Sequence, residues 1–101
     1  MRFIIAVVDP AQVDAVRQAL VSVHVTRFTI CDGHSYDSSL VGVSQQAVIE
    51  IAVNDDFLAA AVKAIEEVQM LDHLRESIRL WVLPIEEAVQ IYREVRGPEA
   101  V

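Results

Sequence analysis

Phe3-Ile4-Ile5-Ala6-Val7-Val8-Asp9-Pro10 is the stretch on which the fold turns. Its continuous apolar run, rich in branched residues, reads as a short strand buried on both faces. Asp9-Pro10 ends the run and starts a helix, since Asp is a good N-cap and Pro a good first helical residue. Val13, Val16, Ala19, Leu20 and Val23 then recur at helical spacing, with Asp14, Arg17 and Gln18 on the other side. This predicts a helix from Ala11 to Ser22. His24 to Ile30 alternates and carries Val25, Thr26, Thr29 and Ile30, which predicts a second strand.

The pattern then returns. Ile4–Leu20 lines up with Ile49–Ile65: Val8-Asp9 meets Val53-Asn54, Val13 meets Leu58, and Ala19-Leu20 meets Ala64-Ile65. Ala47 to Val53 is the third strand, and Asn54-Asp55-Asp56 caps a second helix with an apolar face of Leu58, Ala61, Val62, Ile65 and Val68. Gln69 to Glu76 reads as a connector and Ile78 to Leu83 as the fourth strand, stopped by Pro84. Ile85–Gln90 looks like a short helical turn and Ile91–Val95 like a short edge strand, before Gly97-Pro98 releases the tail. Two such halves make an α+β, ferredoxin-like βαββαβ sandwich over residues 1–101: a four-stranded antiparallel sheet with two helices on one face. The other sheet face is left bare, yet Phe3, Ile5 and Val7 are as apolar as Ile4, Ala6 and Val8. An apolar second face implies burial against other copies of the chain.

Composition narrows the function classes. A hydrophobic fraction of 53% is ample for one core and hints at a partner-covered surface. A formal charge of −7 repels phosphate backbones, which argues against nucleic-acid binding. The single cysteine, Cys31, excludes an internal disulfide framework and fits a reducing, cytoplasmic setting. The opening apolar run is too short for a signal segment, and no stretch is long enough to insert into a membrane.

Cys31 to Gln46, between the second and third strands, reads as a long loop of polar and small residues. Loops of that length in small domains are more often functional than idle. Cys31 and His34 form a Cys-x2-His pair suited to zinc or copper, but two ligands do not close a site, so no metal is assigned. The plain reading is a small apolar Cys at a strand end. Ser35, Ser38 and Ser39 lie near His34 without the rigid frame a catalytic triad needs. Asp55-Asp56 reads as a cap and Glu66-Glu67 as a solvated face, because adjacent helical carboxylates do not face each other. His24 reads as a structural turn residue, and His73 lies on an acidic connector. Trp81 and Tyr92 are expected as core or interface anchors. Arg75 and Arg79 either reach an anion in a cleft or simply balance Asp72 and Glu76. The pattern describes a non-enzymatic sensor or interaction module.

Order and spacing of several phrases resemble the PII signal-transduction family: Phe3–Pro10, Val13–Leu20, Val25–Ile30 and Ala47–Asp56. The resemblance implies a homotrimer that binds an adenine nucleotide or another small anion between subunits. It also implies that the loop Asp32–Gln46 engages a partner protein, a transporter, enzyme or regulator, through Asp32, Gly33, His34, Tyr36 and Asp37. This loop is shorter than the family's, and Tyr36 stands near its start. Thr29 matches the family's adenine-contacting threonine, and Arg79, with Arg75 nearby, stands where a lysine offsets phosphate charge. Met70–Ser77 lacks the family's glycine-rich phosphate loop, and two late arginines of the family fall on Gln90 and Tyr92. The ligand expectation is therefore an anion without preference for a triphosphate. Divalent-metal-binding trimers of the divalent-cation-tolerance (CutA-like) kind and ACT-type small-ligand regulatory modules share this fold and are the alternative readings.

Overall fold

The computed structural model describes residues 1–36, 43–71 and 78–101. β1 (Arg2–Val8) lies inside a four-stranded antiparallel sheet of order β2-β3-β1-β4. It pairs with β3 (Val43–Val53) on one side and β4 (Arg79–Pro84) on the other, and β3 pairs with β2 (Thr29–Tyr36). α1 (Val13–Ser22) and α2 (Asp55–Leu71) cover one face. This is the ferredoxin-like arrangement that the two-half pattern predicts.

Strand periodicity explains the layering. Ile4, Ala6 and Val8 of β1 point to the helices with Ala47, Ile49, Ile51 and Val53 of β3, and all seven are buried. Val16 and Leu20 of α1 and Ala61, Ile65 and Val68 of α2 meet them at helical spacing. Full burial of each Ile or Leu stabilises by about 1.5–3 kcal/mol, which makes this layer the main source of stability. Entry into α1 is set by Asp9, whose side chain accepts from Ala11 N at 2.8 Å while Gln12 Oε1 accepts from Asp9 N at 3.0 Å. That reciprocal cap holds a 3-10 turn over Pro10–Gln12, so the α-helix proper starts at Val13 rather than Ala11.

Four expectations are corrected. The stretch Asp32–Gln46 is not a loop throughout: β2 continues to Tyr36 and β3 begins at Val43, paired residue for residue from Asp32↔Ala47 to Tyr36↔Val43. Backbone pairing, which is blind to side-chain polarity, carries the strands past the apolar pattern. Residues 37–42, with Asp37, lie outside the described residues, as do residues 72–77 with Arg75 and His73. The second strand starts at Thr29, not His24, because His24 takes a left-handed turn (φ 67°) that lets Val25 bond back to Leu20 O and enter the core. The segment Ile85–Gln90 is not helical and leads into β5 (Val89–Gln90), which pairs with β6 (Val95–Arg96), so residues 91–94 are a turn and not an edge strand. Finally, of the core or interface roles expected of Trp81 and Tyr92 the core one is excluded, since Tyr92 is fully exposed and Trp81 half exposed in the single chain. Pro84 ends β4 on the sheet edge, where a missing N–H is tolerated.

Candidate functional site

The sheet's second face carries three rows across the strands. Leu83, Phe3 and Ala52 form one, Trp81, Ile5, Glu50 and Thr29 the next, and Arg79, Val7, Val48 and Cys31 the third. Helices do not cover this face, and Trp81 and Leu83 are 48% and 46% exposed. Glu50 is the one carboxylate within these rows.

Thr29 and Arg79 stand at opposite edges of it. Three strand spacings of about 4.8 Å put them on the order of 14 Å apart across the sheet. The two expected ligand residues are therefore not brought together within one chain. Thr29, exposed at the start of β2, lines a groove of about 790 Å³ with Phe3, His24, Arg27, Glu50 and Phe57. Arg79, at the start of β4, lies at the other end of β1, beside Val7.

Arg79 instead meets the β2–β3 ribbon. β1 ends at Val8, opposite Ala47, so Gly33–Tyr36 and Val43–Gln46 continue as a two-stranded arm. Two-stranded ribbons twist strongly. The arm crosses the end of β1, and Arg79 Nη2 donates to Ser35 Oγ at 3.1 Å. The same guanidinium lies 5.8 Å from the Trp81 ring centroid, within cation–π range. Sequence reading assigned Arg79 a ligand role but did not identify Ser35 as its partner; nothing in the linear pattern joins them.

The other arm residues divide between faces. Asp32, His34 and Tyr36 alternate with Gly33 and Ser35, and Tyr36 is 81% exposed. A Cβ on Gly33 would meet Val48 Cγ2 at an ordinary 3.5 Å, so no close approach requires glycine there. Cys31 and His34 are three residues apart on one strand, an odd spacing that directs their side chains to opposite faces. Among the described residues no three metal-ligating side chains gather.

At the groove end, the Met1 ammonium donates to Asp55 Oδ1 at 3.0 Å and Arg2 Nε lies 3.6 Å from the same oxygen. The ammonium's hydrogen bond, then its charge, hold the Asp55 carboxyl below the usual carboxylate range, with Arg2 adding to the effect. The same end collects Arg27, Asn54 and Gln90, which hold the chain's last residues. Sequence reading assigns Asn54 a capping role and sets Gln90 where a late arginine of the family falls, but nothing in the linear pattern joins any of the three to the tail.

A ferredoxin-like domain with a bare apolar face, a projecting arm and a groove at the sheet edge has the anatomy of a small regulatory module. Comparison with known proteins gives the family. Residues 1–95 match the family model of nitrogen regulatory protein P-II. The chain is similar to nitrogen regulatory protein GlnK1 of Methanosarcina mazei, at 31% identity over 117 aligned residues covering all of this chain and 97% of the relative. Its fold is similar to that of the Arabidopsis thaliana PII protein in its crystal structure bound to citrate. That likeness has a TM-score of 0.86 at 20% identity and covers 99% of this chain and 91% of the other. The chain belongs to the P-II family of signal-transduction regulators.

Proposed function

We propose that this regulator is a homotrimer of single domains spanning residues 1–101. It senses a small anionic metabolite, in the first instance an adenine nucleotide, in clefts between subunits, and acts without catalytic chemistry of its own. The observation that carries the reading is the placement of Thr29 and Arg79 at opposite edges of one apolar, helix-free sheet face. Packing that face against a neighbour covers Phe3, Ile5, Trp81 and Leu83, and it offers one subunit's Thr29 edge to the next subunit's Arg79 edge. Thr29 orients the base, and Arg79, with Arg75, offsets the phosphate charge. The arm from Asp32 through Gly33, His34, Tyr36 and Asp37 to Gln46 reports the bound state to a partner protein. Its exposed Tyr36 and its contact with Arg79 support that role.

We place this regulator in the cytoplasm without membrane insertion; among the described residues no helix is long and apolar enough to cross a membrane. The acidic balance argues against nucleic acid as the partner. Titration calorimetry with AMP, ADP and ATP, alongside light scattering for mass, tests the reading. The expected result is a trimer that binds AMP and ATP with similar affinity. A monomer, or a trimer that binds none of the three, refutes the corresponding half of the proposal.

A further inference from the structure

The groove beside Thr29 is walled on one side by the chain's own last residues. Ala100 and Val101 line it together with Phe3, Phe28, Thr29 and Phe57. Gly97–Ala100 forms a 3-10 turn, and the segment is held through its backbone oxygens by side chains from three separate places. Arg27 Nη2 donates to Val101 O at 3.2 Å, Asn54 Nδ2 to Pro98 O at 3.0 Å, and Gln90 Nε2 to Ala100 O at 3.2 Å.

These holds are weak by construction. The Arg27 and Asn54 bonds are exposed, so water replaces either at little net cost. No residue of the segment is buried, so little apolar area is lost when it lifts. Asn54 Oδ1 is buried and meets no protein donor among the described residues, a penalty that lifting the segment would relieve. Gly97 sits at the hinge with φ 71°, a left-handed geometry that glycine adopts without strain.

We propose that Gly97–Val101 is a displaceable strap. It occupies the Thr29 groove, and an entering ligand lifts it, with Arg27 exchanging the Val101 oxygen for an oxyanion of the ligand. Arg27 is the guanidinium of the groove lining, His24 adds an imidazole, Glu50 is its carboxylate, and three phenylalanines supply apolar wall. That lining suits a flat ring carrying an oxyanion. The strap regulates the ligand site described above and rests on that reading for the identity of the ligand.

The test uses Gln90→Ala and Gly97→Ala, which loosen the strap at residues that do not line the groove. AMP is titrated into the full-length wild type and both variants by calorimetry. Backbone 15N relaxation at Ala100 and Val101 is recorded in parallel. The strap predicts at least threefold tighter AMP binding in both variants, and tail signals that become mobile on binding in the wild type. Equal affinity in all three proteins, or a tail equally mobile before and after AMP, overturns it. If AMP binds none of the three, the nucleotide reading falls, and inorganic phosphate followed on the Arg27 side-chain signal takes its place. A response stronger in both variants than in wild type then supports the strap, and an unchanged response overturns it.

Discussion

Arg79 joins three things at once: the first residue of β4, the Trp81 ring and the Ser35 hydroxyl of the arm. A planar guanidinium can stack and donate simultaneously, which a lysine ammonium cannot do in the same geometry. A charge-assisted bond to a ligand anion contributes about 1.5–3 kcal/mol net. Arg79→Ala should therefore weaken nucleotide binding by roughly ten- to a hundredfold, at about 1.4 kcal/mol per tenfold. Calorimetry on the variant checks this, and unchanged affinity would remove Arg79 from the site. Asp55 makes a separate prediction. Its folded-state pKa is lowered beneath 3.8 by the Met1 ammonium, so its contribution to stability is complete at neutral pH. It is lost as pH falls below 3.8 through the lower folded value. Asp55→Asn should melt earlier than wild type at pH 7, and the gap should close as the pH approaches the acid limit. A gap that persists unchanged in acid contradicts the assignment.

At the scale of elements, the arm and the first helix cap carry the consequences. Ser35 ties the arm to the far edge of the sheet across the end of β1. Removing its hydroxyl should free the arm without touching the core. In Ser35→Ala, amide exchange should accelerate from Gly33 to Tyr36 while Ile49 and Ile51 keep wild-type protection. Uniform exchange along β2 in both proteins would show that the bond does not restrain the arm. The Asp9 cap is a stability device. Asp9→Ala removes the acceptor for Ala11 N and should cost about 1 kcal/mol. For a domain of this size that lowers Tm by about 4–8 °C, measurable by calorimetry.

For the whole molecule the decisive feature is the uncovered sheet face. Phe3, Ile5, Val7, Trp81 and Leu83 lie on one side of a sheet whose other side is already packed against two helices. Light scattering should give three times the 11.2 kDa chain mass at micromolar concentration. Ile5→Glu should dissociate that assembly, since a carboxylate buried at the interface opposite Glu50 would be desolvated and repelled. A variant that remains trimeric with unchanged Tm would place the contact on another surface.

Local chemistry was enough to determine the frame of this protein. The β1 run, the Asp9-Pro10 cap and the echo of Ile4–Leu20 in Ile49–Ile65 each state a local preference, and all agree on two βαβ halves. The apolar character of Phe3, Ile5 and Val7 likewise announced an unpaired face before any packing was known. Tertiary structure alone decided the rest. The length of the β2–β3 arm depends on backbone pairing between Gly33–Tyr36 and Val43–Gln46, where polar and small residues interrupt the apolar pattern. The separation of Thr29 from Arg79 depends on strand order, because β2 and β4 form opposite edges of the sheet with β3 and β1 between them. Ser35 with Arg79, and Arg27, Asn54 and Gln90 with the tail, are single polar contacts between segments far apart in the chain. Periodicity records which face a residue buries. It holds no record of which distant atom a lone polar side chain will find, and this site is built from such contacts.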